Sequence, residues 1–125
     1  AGSMDLQNLL VMPMGSDSPM PLYLYVAQLA QQWNEKNNIG IVVGATHPQI
    51  MEMIRAAAPD LWFLSPGVGA QGGELELALK AGLRKDGKGI LLPVSRAVAR
   101  AQNPAKAAAE LRDEILNIKR ELKLR

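Results

Sequence analysis

The run Ser65-Pro66-Gly67-Val68-Gly69-Ala70-Gln71-Gly72-Gly73 places four glycines within seven residues, between apolar Leu61-Trp62-Phe63-Leu64 and the helical pattern Glu74 to Lys80. The chemistry this spacing serves is anion binding. A strand, a glycine-rich loop and a helix start together aim backbone N–H groups and a helix dipole at one point. Glycine allows positive φ and the close backbone approach that a bulky phosphate needs. A tight strand-to-helix turn without a ligand also uses glycine, so the pattern alone leaves both readings open. A second group stands further on, where Ser95-Arg96 follows the apolar run Gly89-Ile90-Leu91-Leu92-Pro93-Val94. Arginine there is either a solvated surface residue or a guanidinium offering bidentate contact to phosphate oxygens. Neighbouring strands of a parallel β/α sheet deliver their C-terminal ends to one rim, so the glycine loop and Arg96 are expected to converge.

The elements that must hold these groups read as helix and strand in alternation. Residues 4–20 are punctuated by Pro13, Gly15, Ser18 and Pro19 and are expected to be irregular, apart from a possible short strand at Leu9 to Met12. Leu22, Val26, Leu29 and Trp33 recur at helical spacing, and Asn37-Asn38 ends that helix. Ile39 to Val43 suits a parallel strand buried on both faces. Thr46 is the expected N-cap of the next helix, with Pro48 in its first turn and Ile50, Met53, Ile54 and Ala57 on its inner face. Methionine at such spacing is flexible core filler. A strand at 61–64, a helix stopped by a capping glycine at Gly82, a turn at Lys85 to Lys88 and a strand from Gly89 follow. Leu111, Ile115, Ile118 and Leu122 mark a long amphipathic helix over 104–122.

Three segments in this order, Ile41-Val42-Val43-Gly44-Ala45-Thr46, Leu64 to Gly73, and Ser95-Arg96 with Asn103-Pro104 beyond, resemble the orotidine 5'-monophosphate decarboxylase family. The resemblance runs from about Asp5 to Leu122 and is to the C-terminal part of that (β/α)8 barrel. A barrel of this kind takes about 250 residues, and this chain has 125. The fold expected is therefore α/β, a partial (β/α)8 barrel comprising the last three β/α units with parallel strands. Residues 1–3 read as a cloning scar, 4–20 as a leading segment and 21–125 as the barrel portion, which makes the chain a fragment lacking an N-terminal part. By the resemblance, Pro66, Gly67, Val68, Gly69, Gln71, Gly72, Gly73, Ser95 and Arg96 bind the substrate phosphate, Gln71 folding over it. The family turns orotidine monophosphate into uridine monophosphate without metal or organic cofactor. Its D-x-K-x-x-D set has no counterpart here, because Asp86-Gly87-Lys88 lies in a turn. The chain alone is thus expected to hold no catalytic residue and to be inactive.

Composition narrows the alternatives. No apolar run approaches the length of a membrane span, and zero cysteines exclude disulfides and thiolate metal sites while remaining compatible with a cytoplasmic location. Net charge is +2, and the basic residues of the last helix alternate with Glu110, Asp113, Glu114 and Glu121, as on a solvated face. Two Trp, two Tyr and one Phe are too few to build a stacking surface for nucleic acid. His47, the sole histidine, reads as a rim-lining side chain. Glu52, Glu74 and Glu76 form no carboxylate pair for acid–base work. The competing readings are a non-catalytic α/β module for a phosphorylated ligand or for assembly, and an α/β enzyme of other chemistry on the same loop. Strands cut from a barrel leave free edges and leave Ile41, Val43, Leu64, Ile90 and Leu92 on an uncovered face, which invites self-association.

Overall fold

The computed structural model describes residues 4–68 and 72–123. The chain opens with α1 (Met4–Gln7) and two short strands, β1 (Leu10–Val11) and β2 (Met20–Pro21). These pair antiparallel, with Leu10 opposite Pro21 and Val11 opposite Met20. The segment expected to be irregular therefore contains a helical turn and a small hairpin. Its Pro and Gly residues punctuate the connection between two strands. There follow α2 (Leu22–Trp33), β3 (Gly40–Val42), α3 (Pro48–Ala57), β4 (Trp62–Leu64), α4 (Gly72–Gly82), β5 (Ile90–Leu91), α5 (Arg96–Ala99) and α6 (Pro104–Lys123).

The strands β3, β4 and β5 form a parallel sheet in that order, Ile41 beside Phe63 beside Ile90 and Val42 beside Leu64 beside Leu91. This is the expected open portion of a β/α barrel, and no closed barrel forms. One face carries α2, α3 and α4, with Ala27, Val43, Met51, Ile54, Leu61 and Phe63 in a single core cluster. The other face is bare. Val42 is 69% exposed, Leu91 53% and Leu64 41%. The uncovered set is thus Val42, Leu64 and Leu91, whereas Ile41 and Ile90 pack on the helix-side core and Val43 is buried in it. Side chains alternate along a strand, so placing the core face one residue out exchanges the two faces. Of the five residues expected to face the barrel interior, only Leu64 does so plainly.

The same one-residue ambiguity arises on two helices. On α2 the buried residues are Ala27 and Ala30, while Val26 and Trp33 of the expected stripe are 50% and 65% exposed. Small alanines let the helix approach β3. Its bulkier neighbours Leu22 and Val26 line a groove of about 550 Å³ along the free β3 edge, with Leu6 and Val42. On α3 it is Met51 and Ile54 that are buried, with Met53 exposed. The N-cap of α3 is His47, not Thr46, and it makes no side-chain capping bond, so Pro48 at the first helical position sets the start. Gly82 ends α4 without a left-handed φ. A Cβ there would stand 2.7 Å from Ile90 Cδ1 and 2.9 Å from Met51 Sδ, so a larger residue requires those side-chain ends to shift.

The N-terminal end of the sheet is closed by Arg55 of α3. Its Nε and Nη2 donate to the Gly82 carbonyl at 2.9 and 2.7 Å, and Nη2 also donates to Gly89 at 2.9 Å. Nη1 donates to Ala58 at 3.1 Å and Leu61 at 2.8 Å. The C-terminal ends of α3 and α4 and the entries to β4 and β5 thus share one guanidinium. Its carbon lies 3.5 Å from the centroid of the Phe63 ring. Burial lowers the Arg55 pKa to about 10, and the nearby Arg84 charge adds to the effect. Arg55 is therefore protonated at neutral pH, with every donor in use.

Candidate anion-binding rim

The C-terminal edge of the sheet is pinned by Ser65, which is fully buried. Its N–H donates to the Leu91 carbonyl at 2.9 Å and its Oγ donates to the Val43 carbonyl at 2.8 Å. One small residue thus joins all three strands at the root of the glycine loop. One step later the Pro66 carbonyl accepts the Ala45 N–H at 3.0 Å, which keeps the chain against the β3 side. Gly67 then takes φ +92° and turns away. A Cβ there would meet no atom within 4 Å, so the requirement is for the dihedral itself. Val68 follows, half-buried. Gly69 and Gln71, expected at the loop tip, lie outside the described residues. Gly72 and Gly73 begin α4, so the positive end of that helix dipole is at the same rim.

On the neighbouring strand, Ser95 is the N-cap of α5 and makes no side-chain capping bond. Arg96 opens α5, is exposed, and makes no ion pair among the described residues. Because β4 and β5 are parallel and in register through Leu64 and Leu91, the Pro66–Gly73 connection and Ser95-Arg96 leave the sheet at the same edge from adjacent strands. Among the described residues, this edge presents the Gly67 backbone, the N-terminus of α4 and the exposed Arg96 guanidinium. His47 and Thr46, with Pro66 and Gly67, line an adjoining cavity of about 450 Å³, which agrees with His47 as a rim residue. Glu52, Glu74 and Glu76 are exposed on α3 and α4. Among the described residues no His, Cys, Asp and Glu groups gather as a metal site would require, and no helix is long and apolar enough to cross a membrane.

In the sequence Ser65 reads only as the first loop residue, and its role as a three-strand tie comes from the fold. The signal was there, a lone serine between the last apolar residue of a buried strand and a proline. Its Oγ partner, a carbonyl on another strand, has no local trace in the sequence.

Residues 5–111 match the family model described as orotidine 5'-phosphate decarboxylase / HUMPS family. The orotidine 5'-phosphate decarboxylase of Thermomicrobium roseum is 42% identical over 129 residues, covering 97% of this chain and 44% of the relative. That of Roseiflexus castenholzii is 48% identical over 93 residues, covering 74% of this chain and 34% of the relative. The solved OMP decarboxylase of Leishmania donovani superposes with a TM-score of 0.79 at 49% identity, over 92% of this chain and 43% of that one. The chain thus spans less than half the length of these relatives. The match extends over most of its residues, from α1 into α6, and on that ground the chain belongs to the orotidine 5'-phosphate decarboxylase / HUMPS family.

Proposed function

We propose that this chain carries the phosphate-binding part of an orotidine 5'-phosphate decarboxylase site and grips the phosphate end of orotidine or uridine monophosphate. The observation that carries the reading is the adjacency of the two rim segments, one with Gly67 in the left-handed region and the other with Arg96, which makes no ion pair among the described residues. In this reading the dianion sits on backbone N–H groups of Gly67–Gly73, leading into α4, with Gln71 over it. Arg96 takes two of its oxygens, and Ser95 supplies a hydroxyl. In a complete enzyme, binding energy spent on the phosphate helps close the site and orient the reacting base. Carbanion stabilisation and protonation need the Lys/Asp set that residues 1–125 do not contain. The chain by itself is accordingly inert as a decarboxylase, needs no metal or cofactor, and belongs in the cytoplasm.

A second reading, an assembly module, is favoured by one observation, the bare face of Val42, Leu64 and Leu91 beside the free β3 edge. A parallel sheet is normally covered on both faces. That surface would take a second copy of the chain or the complementary part of the barrel. Crystals grown in sulfate test the first reading. The expected result is a sulfate within about 3 Å of both the Gly67 loop and the Arg96 guanidinium. Density that puts these groups more than about 10 Å apart, with sulfate at neither, would contradict it. If light scattering on that sample shows association and the rim stays empty, the assembly reading takes its place.

A further inference from the structure

A cavity of about 290 Å³ lies between the C-terminal half of α4 and the distal part of α6, at the end of the sheet away from the glycine loop. Its walls include Lys80, Arg84, Lys85 and Lys119 over an apolar floor of Leu79 and Leu83, and among the described residues no carboxylate lines it. Arg84 is partly neutralised, with Nη2 2.7 Å from Asp86 Oδ2. Lys80, Lys85 and Lys119 make no ion pair among the described residues. Cations near the C-terminal ends of α4 and α6 are favoured by the helix dipoles, which accounts for each lysine singly. The dipoles do not account for three uncompensated ammonium groups around one concavity, where each disfavours the others.

We propose that this concavity binds a multiply charged phosphate anion of the polyphosphate class. Three ammonium groups beside a guanidinium held by Asp86 and the Asp60 carbonyl suit a ligand that spreads its charge over several phosphate units. The volume corresponds to about ten water molecules, enough for a short polyphosphate chain. A larger neighbouring cavity of about 540 Å³ shares Lys80, Arg84 and Lys85 but includes Glu52, whose charge opposes an anion. The carboxylate-free cavity is therefore the site. It uses none of the rim residues and stands whether or not the rim binds phosphate.

The test is calorimetric titration with inorganic tripolyphosphate at constant ionic strength. Three proteins are compared, each carrying Arg96→Ala so that the rim contributes nothing: this background, the background with Lys80→Gln/Lys119→Gln, and the background with Lys36→Gln, an exposed lysine outside the cavity. Glutamine keeps the stems of these surface side chains, so thermal melting should be unchanged and any loss reflects charge. Expected are saturable binding to the background, a weakening of about tenfold or more with Lys80→Gln/Lys119→Gln, and no change with Lys36→Gln. Absence of saturable binding to the background, equal affinity with the double change, or an equal loss with Lys36→Gln would each overturn the proposal.

Discussion

Arg55→Ala is expected to lower the unfolding free energy by about 3 kcal/mol or more, since hydrogen bonds to charged groups contribute about 1.5–3 kcal/mol each and orphaned carbonyls add their desolvation cost. The carbonyls of Ala58, Pro59, Leu61 and Gly82 lose this donor at once, and that of Gly89 keeps only the Phe63 N–H. They belong to two helix ends and two strand entries, so water can replace the guanidinium only by prising those elements apart. A small domain has about 5–15 kcal/mol in total, so the variant should sit near its folding threshold. Arg55→Lys keeps the charge and loses the planar fork, and should recover only a minor part. The pH dependence has a definite sign. The folded-state pKa is lowered to about 10 from the ordinary arginine value, so Arg55 is protonated in both states at neutral pH and contributes no slope there. Above about pH 10 its titration favours the folded state. Urea melts followed by circular dichroism provide the check, and an Arg55→Ala midpoint equal to that of the unaltered chain would contradict the account.

Phe63→Ala should cost about 3–5 kcal/mol, the usual range for removing a buried aromatic ring. The ring is fully buried at the centre of β4. It has Ile41 and Ile90 beside it on the flanking strands, and the Arg55 guanidinium lies 3.5 Å from its centroid. Those neighbours are anchored in backbone and cannot collapse into the space. The ring and the cation should also be coupled. A cycle of the milder changes Phe63→Leu and Arg55→Lys is expected to deviate from additivity by about 0.5–1 kcal/mol. Additivity within about 0.3 kcal/mol would show that the stacked geometry contributes nothing.

From α2 to β5 the helix and strand order was legible because apolar periodicity, Pro48 and Gly82 mark element ends within a few residues, whereas α1, the β1–β2 hairpin and the single turn of α5 are too short to show a period. The rim was legible for a different reason: glycines at a strand-to-helix junction have few uses, and a parallel sheet sends its loops to one edge. Which face of each element is buried was not legible. On α2, the stripes through Val26 and through Ala27 fit a helical period equally well, and only the closeness of β3 selects the alanines. The roles of Arg55 and Ser65 were hidden for a shared reason. Both act on backbone carbonyls distant in sequence, and a carbonyl carries no residue identity to read. Arg55 in an apolar helix pattern looks like a solvated cation until Gly82 and Gly89 are brought to it.

The central claim is that the rim formed by the Gly67 loop and Arg96 recognises a phosphate group. Its most direct test is titration of uridine monophosphate and uridine into the unaltered chain and into Arg96→Ala, followed by amide chemical shifts. The account predicts saturable binding of the monophosphate with shifts at Gly67 and Ser95. It predicts no measurable binding of uridine, and a loss of about tenfold to a hundredfold on Arg96→Ala, the worth of a charged bidentate contact. Equal affinity of the unaltered chain and Arg96→Ala for the monophosphate, or equal binding of nucleoside and nucleotide, would contradict it.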